Sequence, residues 1–138
     1  MNHPGQTPKE IAKLIEDIIQ DKVVCDIGCG TGDFMDALAR YAKQVIGIEI
    51  DLELAEFVAN KGYKVYAQDS FVEPLPNADV YYAWTRDALG VYLKAKLEGT
   101  KGTFIFGPST RTSLVNFFKT LDCEVRELGD WKIYITKL

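Results

Sequence analysis

A chain of 138 residues with a formal net charge of −4 is long enough to bury the core of one globular domain, and its acidity disfavours a nucleic-acid partner. The three cysteines form no C-x-x-C pair and there is one histidine, so we expect reduced thiols, no metal site and no Ser-His-Asp triad. The N-terminus has no secretory layout and no apolar run reaches membrane-spanning length, which predicts a cytoplasmic protein without membrane contact.

The first half of the chain alternates between helical and strand patterns. Residues 1–6 are predicted to be a flexible leader to a single domain that occupies 1–138. Thr7, Pro8 and Glu10 form a capping-box signal for a first helix. Asp51 and Gly62 are the start and stop signals of a later helix. The predicted elements, by residue number, are helix 7–19, strand 23–27, helix 33–41, strand 44–49, helix 51–61 and strand 64–68.

The second half continues this alternation and then changes rhythm. It predicts, in order, an irregular loop 70–78, strand 79–84, helix 85–98, strand 102–107, helix 110–120 and two strands within 123–136. The last two strands alternate apolar and polar residues around Gly129-Asp130, which is typical of a β-hairpin. Strand–helix units followed by a hairpin predict an α/β fold, a three-layer doubly wound sandwich around a mostly parallel sheet.

A glycine-rich turn follows the first strand, in the stretch Asp26-Ile27-Gly28-Cys29-Gly30-Thr31-Gly32. Glycine adopts positive φ without strain, so three alternate glycines suit a tight reversal. Because these positions carry no side chain, a flat ligand can lie against the backbone, and the helix beyond offers unpaired N–H groups. The sequence therefore predicts a ligand-binding turn between the first strand and the helix that follows it.

This stretch resembles the first motif of the class I S-adenosylmethionine-dependent methyltransferases. The rival dinucleotide-binding pattern G-x-G-x-x-G would place a glycine or alanine where Asp33 stands. The order of elements is also similar to the fold of this family, a seven-stranded sheet whose last strand is antiparallel. The resemblance implies an enzyme that uses S-adenosylmethionine as cofactor, releases S-adenosylhomocysteine and transfers the methyl group to an unidentified acceptor.

Acidic residues end three successive predicted strands, at Asp26, Glu49 and Asp69. The carboxyl ends of parallel strands meet at one edge of the sheet, where ligands bind. Glu49 follows the turn by about twenty residues, the spacing of an acid that binds ribose hydroxyls. The alternative for Glu49 is a solvated strand end. Asp51 is better explained as a helix cap.

The resemblance implies a role for each member of this cofactor site. Asp69 would lie near the adenine amine and the Ser70 backbone near a ring nitrogen, although both could simply cap a loop. Asp26 would face the amino group of the methionine moiety or hydrogen-bond the turn, and Ile50 would pack on adenine. The predicted cofactor-binding residues are Asp26, Gly28, Cys29, Gly30, Gly32, Glu49, Ile50, Asp69, Ser70 and Trp84.

The end of the fourth predicted strand is the expected substrate side. Trp84 could border the methyl donor, and Tyr82, Thr85 and Arg86 could meet the substrate. The alternatives are core packing for the tyrosine and a helix start for the residues after Trp84. No Asn/Asp-Pro-Pro-aromatic motif follows this strand, which disfavours methylation of adenine or glutamine nitrogens.

The sequence names no catalytic residue, because a sulfonium is already activated and an aligned acceptor can attack it directly. The short loops suggest a homodimer, a partner protein that closes the site, or a bulky acceptor. A protein side chain or a small molecule are the acceptors considered. A non-catalytic cofactor-binding module is the second hypothesis, and a nicotinamide-dependent oxidoreductase is a distant third.

Overall fold

The computed structural model describes residues 8–84, 87–109 and 122–138. The helices are α1 (Glu10–Leu14), α2 (Glu16–Ile19), α3 (Asp33–Leu38), α4 (Leu52–Asn60) and α5 (Ala88–Leu97). The strands are β1 (Val23–Ile27), β2 (Gln44–Ile48), β3 (Lys64–Tyr66), β4 (Val80–Ala83), β5 (Thr103–Ser109), β6 (Glu124–Leu128) and β7 (Trp131–Lys137). The predicted helix 110–120 lies outside the described residues.

The seven strands form one sheet in the order β3-β2-β1-β4-β5-β7-β6. Strands β1 to β5 pair in parallel, and β7 runs antiparallel to both of its neighbours, β5 and β6. The order reverses at β1, where the chain moves from one half of the sheet to the other. This architecture confirms the predicted α/β fold with its antiparallel C-terminal hairpin strand.

Apolar side chains cover both faces of the sheet, as expected for buried parallel strands. On one face, α1 to α4 bury residues such as Ile11, Phe34 and Val58. On the other face, α5 buries Val91 and Tyr92 against the aromatic residues of β5. The helices therefore cover both faces of the sheet, and the ends of the strands are left uncovered.

The predicted first helix is broken into α1 and α2 at Ile15. The carbonyl of Leu14 accepts a hydrogen bond at 2.8 Å from the Arg126 guanidinium of β6. The Ile18 N–H instead donates to Ile15, one residue closer than in an α-helix. A long-range contact thus interrupts a helix whose apolar pattern is continuous. Lys9 is the N-cap residue of α1, and the predicted N-cap, Thr7, lies outside the described residues.

Other local signals agree with the structure. The Asp51 carboxylate accepts hydrogen bonds from the N–H groups of Glu53 and Leu54, so the predicted N-cap of α4 is confirmed. Gly62 and Gly99 have positive φ angles of 102° and 79° at the ends of α4 and α5. Every helix in the described ranges is too short or too polar to cross a bilayer.

Candidate functional site

The turn after β1 has the backbone that its glycines predict. Gly28, Gly30 and Gly32 have φ angles of 76°, 57° and 82°, all in the left-handed region. The N–H groups of Gly28 and Cys29 donate to the carbonyl of Ile48 at 2.8 and 3.0 Å. The turn is therefore fastened to the end of β2 by backbone hydrogen bonds.

Glu49 lies directly beside this turn. Its Oε1 accepts a hydrogen bond from the Gly30 N–H at 2.8 Å, and its Oε2 accepts one from the Asp51 N–H at 3.0 Å. The residue is only 9% exposed. A carboxylate oxygen has two acceptor positions, so each oxygen keeps one for a ligand. The end of β2 thus presents a fixed anionic acceptor at the bend of the turn.

Asp26 is the most deeply buried acid of the site, with 4% of its surface exposed. Burial, together with the nearby Glu49 carboxylate, raises the pKa of Asp26 to about 8. The side chain is therefore largely protonated at neutral pH. A ligand cation placed beside it would favour the ionised form, because an opposite charge offsets both causes of the shift.

Cys29 is a packing residue of the turn. Burial, followed by the charges of Asp26 and Glu49, raises the pKa of its thiol to about 12. A Cβ at Gly47 would lie 2.8 Å from the Cys29 sulfur, so β2 carries glycine where the turn packs against it. Because it is buried and its pKa is high, the Cys29 thiol is a poor nucleophile at neutral pH. Cys25, Cys29 and Cys123 are all free, as predicted.

A pocket of about 210 Å³ opens beyond the carboxyl ends of β1 and β2. Its lining includes five predicted cofactor residues, namely Gly28, Glu49, Ile50, Asp69 and Ser70, together with Ile27, Ile48, Gln68, Phe71, Asp87 and Val91. The volume is below the ~300–1,000 Å³ of sites that enclose a whole small ligand. The pocket therefore suits one ring system, and the rest of a ligand would extend along the turn.

Phe71 is a lining residue that the sequence analysis did not identify. A Cβ at Gly90 of α5 would lie 2.5 Å from its ring, so the ring occupies the space that this glycine leaves open. The sequence signal for this contact is Gly90, a glycine inside a helical pattern, which indicates that another group packs closely against the helix. Asp69 accepts a hydrogen bond from the Phe71 N–H at 2.9 Å, which is the loop-capping arrangement left open above.

The residues predicted to contact the substrate do not line the pocket in the part of the chain that the structure describes. Tyr82 is fully buried and packs on Phe34 with ring centroids 4.6 Å apart, in agreement with the core-packing alternative. Trp84 lies at the end of β4 outside the pocket lining, and its ring contacts Trp131 of β7. Thr85 and Arg86 lie outside the described residues.

The glycine turn, the fixed carboxylate and the pocket lie together at the strand order reversal of a doubly wound sheet. This is where proteins of this class bind their ligands. A family model described as a methyltransferase domain matches residues 3–126. The chain belongs to this family, and its fold is that of the class I enzymes, which use S-adenosylmethionine.

Similar proteins agree with this assignment. A 23S rRNA (uracil(1939)-C(5))-methyltransferase of Vesicomyosocius okutanii is 52% identical over 44 residues, which are 32% of this chain and 10% of that protein. The matched segment therefore covers about a tenth of the length of this curated relative.

Two solved structures share the fold. An RNA methyltransferase from Salinibacter ruber, in complex with S-adenosyl-L-homocysteine, superimposes with a TM-score of 0.71 at 18% identity over 96% of this chain and 92% of that chain. A dimethyladenosine transferase from Plasmodium falciparum gives a TM-score of 0.67 at 23% identity over 99% of this chain and 62% of that chain.

Proposed function

We propose that this chain binds S-adenosylmethionine along the glycine turn and transfers its methyl group to an acceptor at the same edge of the sheet. The observation that carries the proposal is the position of Glu49. Its carboxylate is held between the N–H groups of Gly30 and Asp51 and keeps acceptor positions for two ribose hydroxyls. A solvated strand-end acid, the alternative reading, would not be buried and hydrogen-bonded at the turn.

The other residues of the site fit the remaining parts of the cofactor. Ile50 and Phe71 offer apolar surface to an adenine ring, and Asp69 and Ser70 lie on the same pocket wall. The carboxyl group of Asp26 suits the amino group of the methionine moiety, because a cation would compensate the burial that keeps it protonated. The turn contributes backbone without side chains, so a ligand can approach closely.

S-adenosylmethionine, when bound, would supply a methyl carbon activated by its sulfonium, and S-adenosylhomocysteine would be the leaving group when an acceptor takes that carbon. The residues of this chain align the two reactants and exclude competing water. Alignment alone can lower the barrier by several kcal/mol. No side chain of the site is required as a base when the acceptor is already nucleophilic.

Isothermal titration with S-adenosylhomocysteine tests this proposal. We expect the intact protein to bind, and Glu49→Gln to weaken binding by about 10- to 100-fold, because one charged acceptor becomes a neutral amide. Glu53→Gln is the matched control, since Glu53 is an exposed acid in the first turn of α4. If the intact protein does not bind, the proposal is wrong. Binding without methyl transfer to any acceptor would favour the non-catalytic module.

We further propose RNA as the source of the acceptor. The names of an rRNA methyltransferase and an RNA methyltransferase among the similar proteins support this choice. The net charge of −4 argues against extensive phosphate contacts, so recognition would rest on the base that is methylated. Radiolabelled methyl transfer into a cell lysate, fractionated into RNA, protein and small molecules, tests the proposal. Label confined to protein or small molecules would contradict it.

A further inference from the structure

Two tryptophans contact each other at the side of the sheet where the parallel strands end. The ring of Trp84, directly after β4, and the ring of Trp131, the first residue of β7, have centroids 5.9 Å apart and an interplanar angle of 79°. We propose that this tryptophan pair is the acceptor-binding surface and stacks against a flat, uncharged ring, a nucleobase of single-stranded RNA. The inference rests on the proposed function, because it concerns the acceptor of the same methyl transfer.

The strand register places this pair next to the glycine turn. Ala83 of β4 lies opposite Ile27 of β1, so Trp84 and Gly28, the residues that follow, lie at the same level. Strand β7 is antiparallel to β5, and its first residues therefore reach the edge where the parallel strands end. Trp84 therefore lies between the cofactor turn and Trp131, at the carboxyl ends of β1 and β4.

A glycine in the neighbouring strand makes this arrangement possible. A Cβ at Gly107 of β5 would lie 2.4 Å from the Trp84 Cβ and 2.8 Å from the Tyr82 hydroxyl. A side chain at this position would force Trp84 or Tyr82 to shift. The contact therefore depends on three neighbouring strands: Trp84 follows β4, Trp131 begins β7, and Gly107 of β5 has no side chain that would clash with Trp84.

The exposure of Trp131 fits a binding surface better than a core contact. That residue is 37% exposed, whereas Trp84 is partly buried and also packs against the core on the face of α1 to α4. Two indoles that meet edge to face leave ring surface on which another flat ring can stack. Every nucleobase has such a π-face, and stacking on aromatic side chains needs no positive charge on the protein. This mode of recognition is compatible with an acidic chain.

A cationic acceptor such as a lysine side chain fits this surface less well. An ammonium group that leaves water requires compensation by carboxylates as well as by ring faces. Two acids of the same hairpin, Glu124 and Glu127, already form ion pairs with Arg126 and Lys132. These two carboxylates are therefore already engaged in ion pairs, and the indoles offer mainly apolar surface.

Intrinsic fluorescence gives a direct test, because Trp84 and Trp131 are the only tryptophans in the sequence. The intact protein, saturated with S-adenosylhomocysteine, is titrated with short oligouridine, oligocytidine and oligoadenosine. We expect saturable quenching by at least one of them. Trp131→Ala should weaken that binding roughly tenfold, as expected for the loss of one stacking contact. Fluorescence anisotropy of a labelled oligonucleotide measures this loss independently of the tryptophan signal.

The controls separate this inference from the proposed function. Val125→Ala removes another exposed apolar side chain from the hairpin and should leave oligonucleotide binding unchanged. Trp131→Ala should bind S-adenosylhomocysteine as tightly as the intact protein does, which also shows that the variant folds.

Two results would overturn the inference while leaving the proposed function intact. One is S-adenosylhomocysteine binding with no response to any oligonucleotide, and the other is equal oligonucleotide affinity in the intact protein and Trp131→Ala. Quenching by a lysine-rich peptide instead of the oligonucleotides would overturn it in favour of a protein acceptor. Failure of the intact protein to bind S-adenosylhomocysteine would contradict the proposed function itself.

Discussion

The Glu49 carboxylate accepts a hydrogen bond from the backbone N–H of Gly30 at 2.8 Å, so the end of β2 holds the turn that follows β1. The second oxygen binds the N–H of Asp51 at 3.0 Å, at the start of α4. One side chain therefore connects two loops of the site. Its contribution is both structural and, in the proposed function, direct contact with the ribose.

Glu49→Ala should loosen both loops even without ligand. Two part-buried N–H groups lose a charged acceptor, and we expect a loss of about 1–3 kcal/mol in the free energy of unfolding. Amide hydrogen exchange at Gly30 and Asp51 should accelerate, which NMR can follow residue by residue. Glu53→Ala serves as control. Unchanged exchange at both amides would contradict the role assigned to Glu49.

Asp26→Asn should change how stability depends on pH. The pKa of Asp26 is raised to about 8 in the folded state, against an unperturbed 3.8, so the folded protein binds more protons than the unfolded one between these values. Stability is therefore lost as the pH rises through this window. In urea unfolding, the advantage of Asp26→Asn over the intact protein should be at least ~2 kcal/mol larger at pH 8 than at pH 5. Equal advantages would contradict this prediction.

The same carboxyl group should make ligand affinity depend on pH. If the amino group of S-adenosylhomocysteine lies beside Asp26, binding requires the ionised form, which becomes more populated as the pH approaches 8. Calorimetry should show affinity rising from pH 6 to pH 8 by up to tenfold per pH unit. In Asp26→Asn the affinity should be lower and nearly independent of pH over this range.

Gly90→Ala should separate stability from binding. Alanine favours the interior of α5 by up to about 1 kcal/mol over glycine. Its Cβ would meet the ring of Phe71 at 2.5 Å, and that half-exposed ring can move aside. We expect unchanged or higher stability in thermal unfolding but a several-fold loss of S-adenosylhomocysteine affinity, because Phe71 leaves the pocket wall. Unchanged affinity would show that Phe71 is not part of the site.

Gly47→Ala is the informative comparison for this variant. Its Cβ would lie 2.8 Å from the Cys29 sulfur and 2.9 Å from the Met35 sulfur, both in the buried core. These neighbours have little room to shift, so we expect a loss of about 1–3 kcal/mol. Thermal unfolding should thus show a loss of stability for Gly47→Ala but none for Gly90→Ala.

Arg126→Lys should weaken the attachment of the hairpin to the N-terminal helices. The guanidinium binds both carboxylate oxygens of Asp17, at 2.5 and 2.9 Å, as well as the carbonyl of Leu14. A lysine cannot reproduce this planar geometry, and we expect a loss of about 1 kcal/mol in urea unfolding. Lys132→Ala, which breaks a looser exposed pair with Glu127 at 3.6 Å, should change stability by less than ~0.5 kcal/mol.

Short sequence patterns predicted those parts of the site that depend on residues adjacent in the chain. Positive φ angles at Gly28, Gly30 and Gly32 follow from residue type, because only glycine reverses the chain there without strain. The carboxylate of Asp51 at the start of a helical pattern likewise predicted a cap that the structure contains. The adjacency of Glu49 to the turn followed from the parallel order of the first two strands.

Features that join distant residues were not predictable in this way. The break at Ile15 depends on Arg126, which lies 112 positions after Leu14 in the chain. Strands β3 and β4 are shorter than their apolar patterns indicated, because hydrogen bonding to the neighbouring strands determines where each strand ends. The contact of Trp131 with Trp84 required the position of β7 in the sheet.

The sequence by itself determined the alternation of strands and helices, the glycine turn and the acid at the tip of the second strand, because periodicity and backbone freedom are properties of short segments. Only the tertiary structure decided that Asp26 is buried beside Glu49, that Phe71 occupies the gap at Gly90 and that two tryptophans meet over Gly107. Burial and contact arise from the packing of segments far apart in the chain, and no local pattern encodes them.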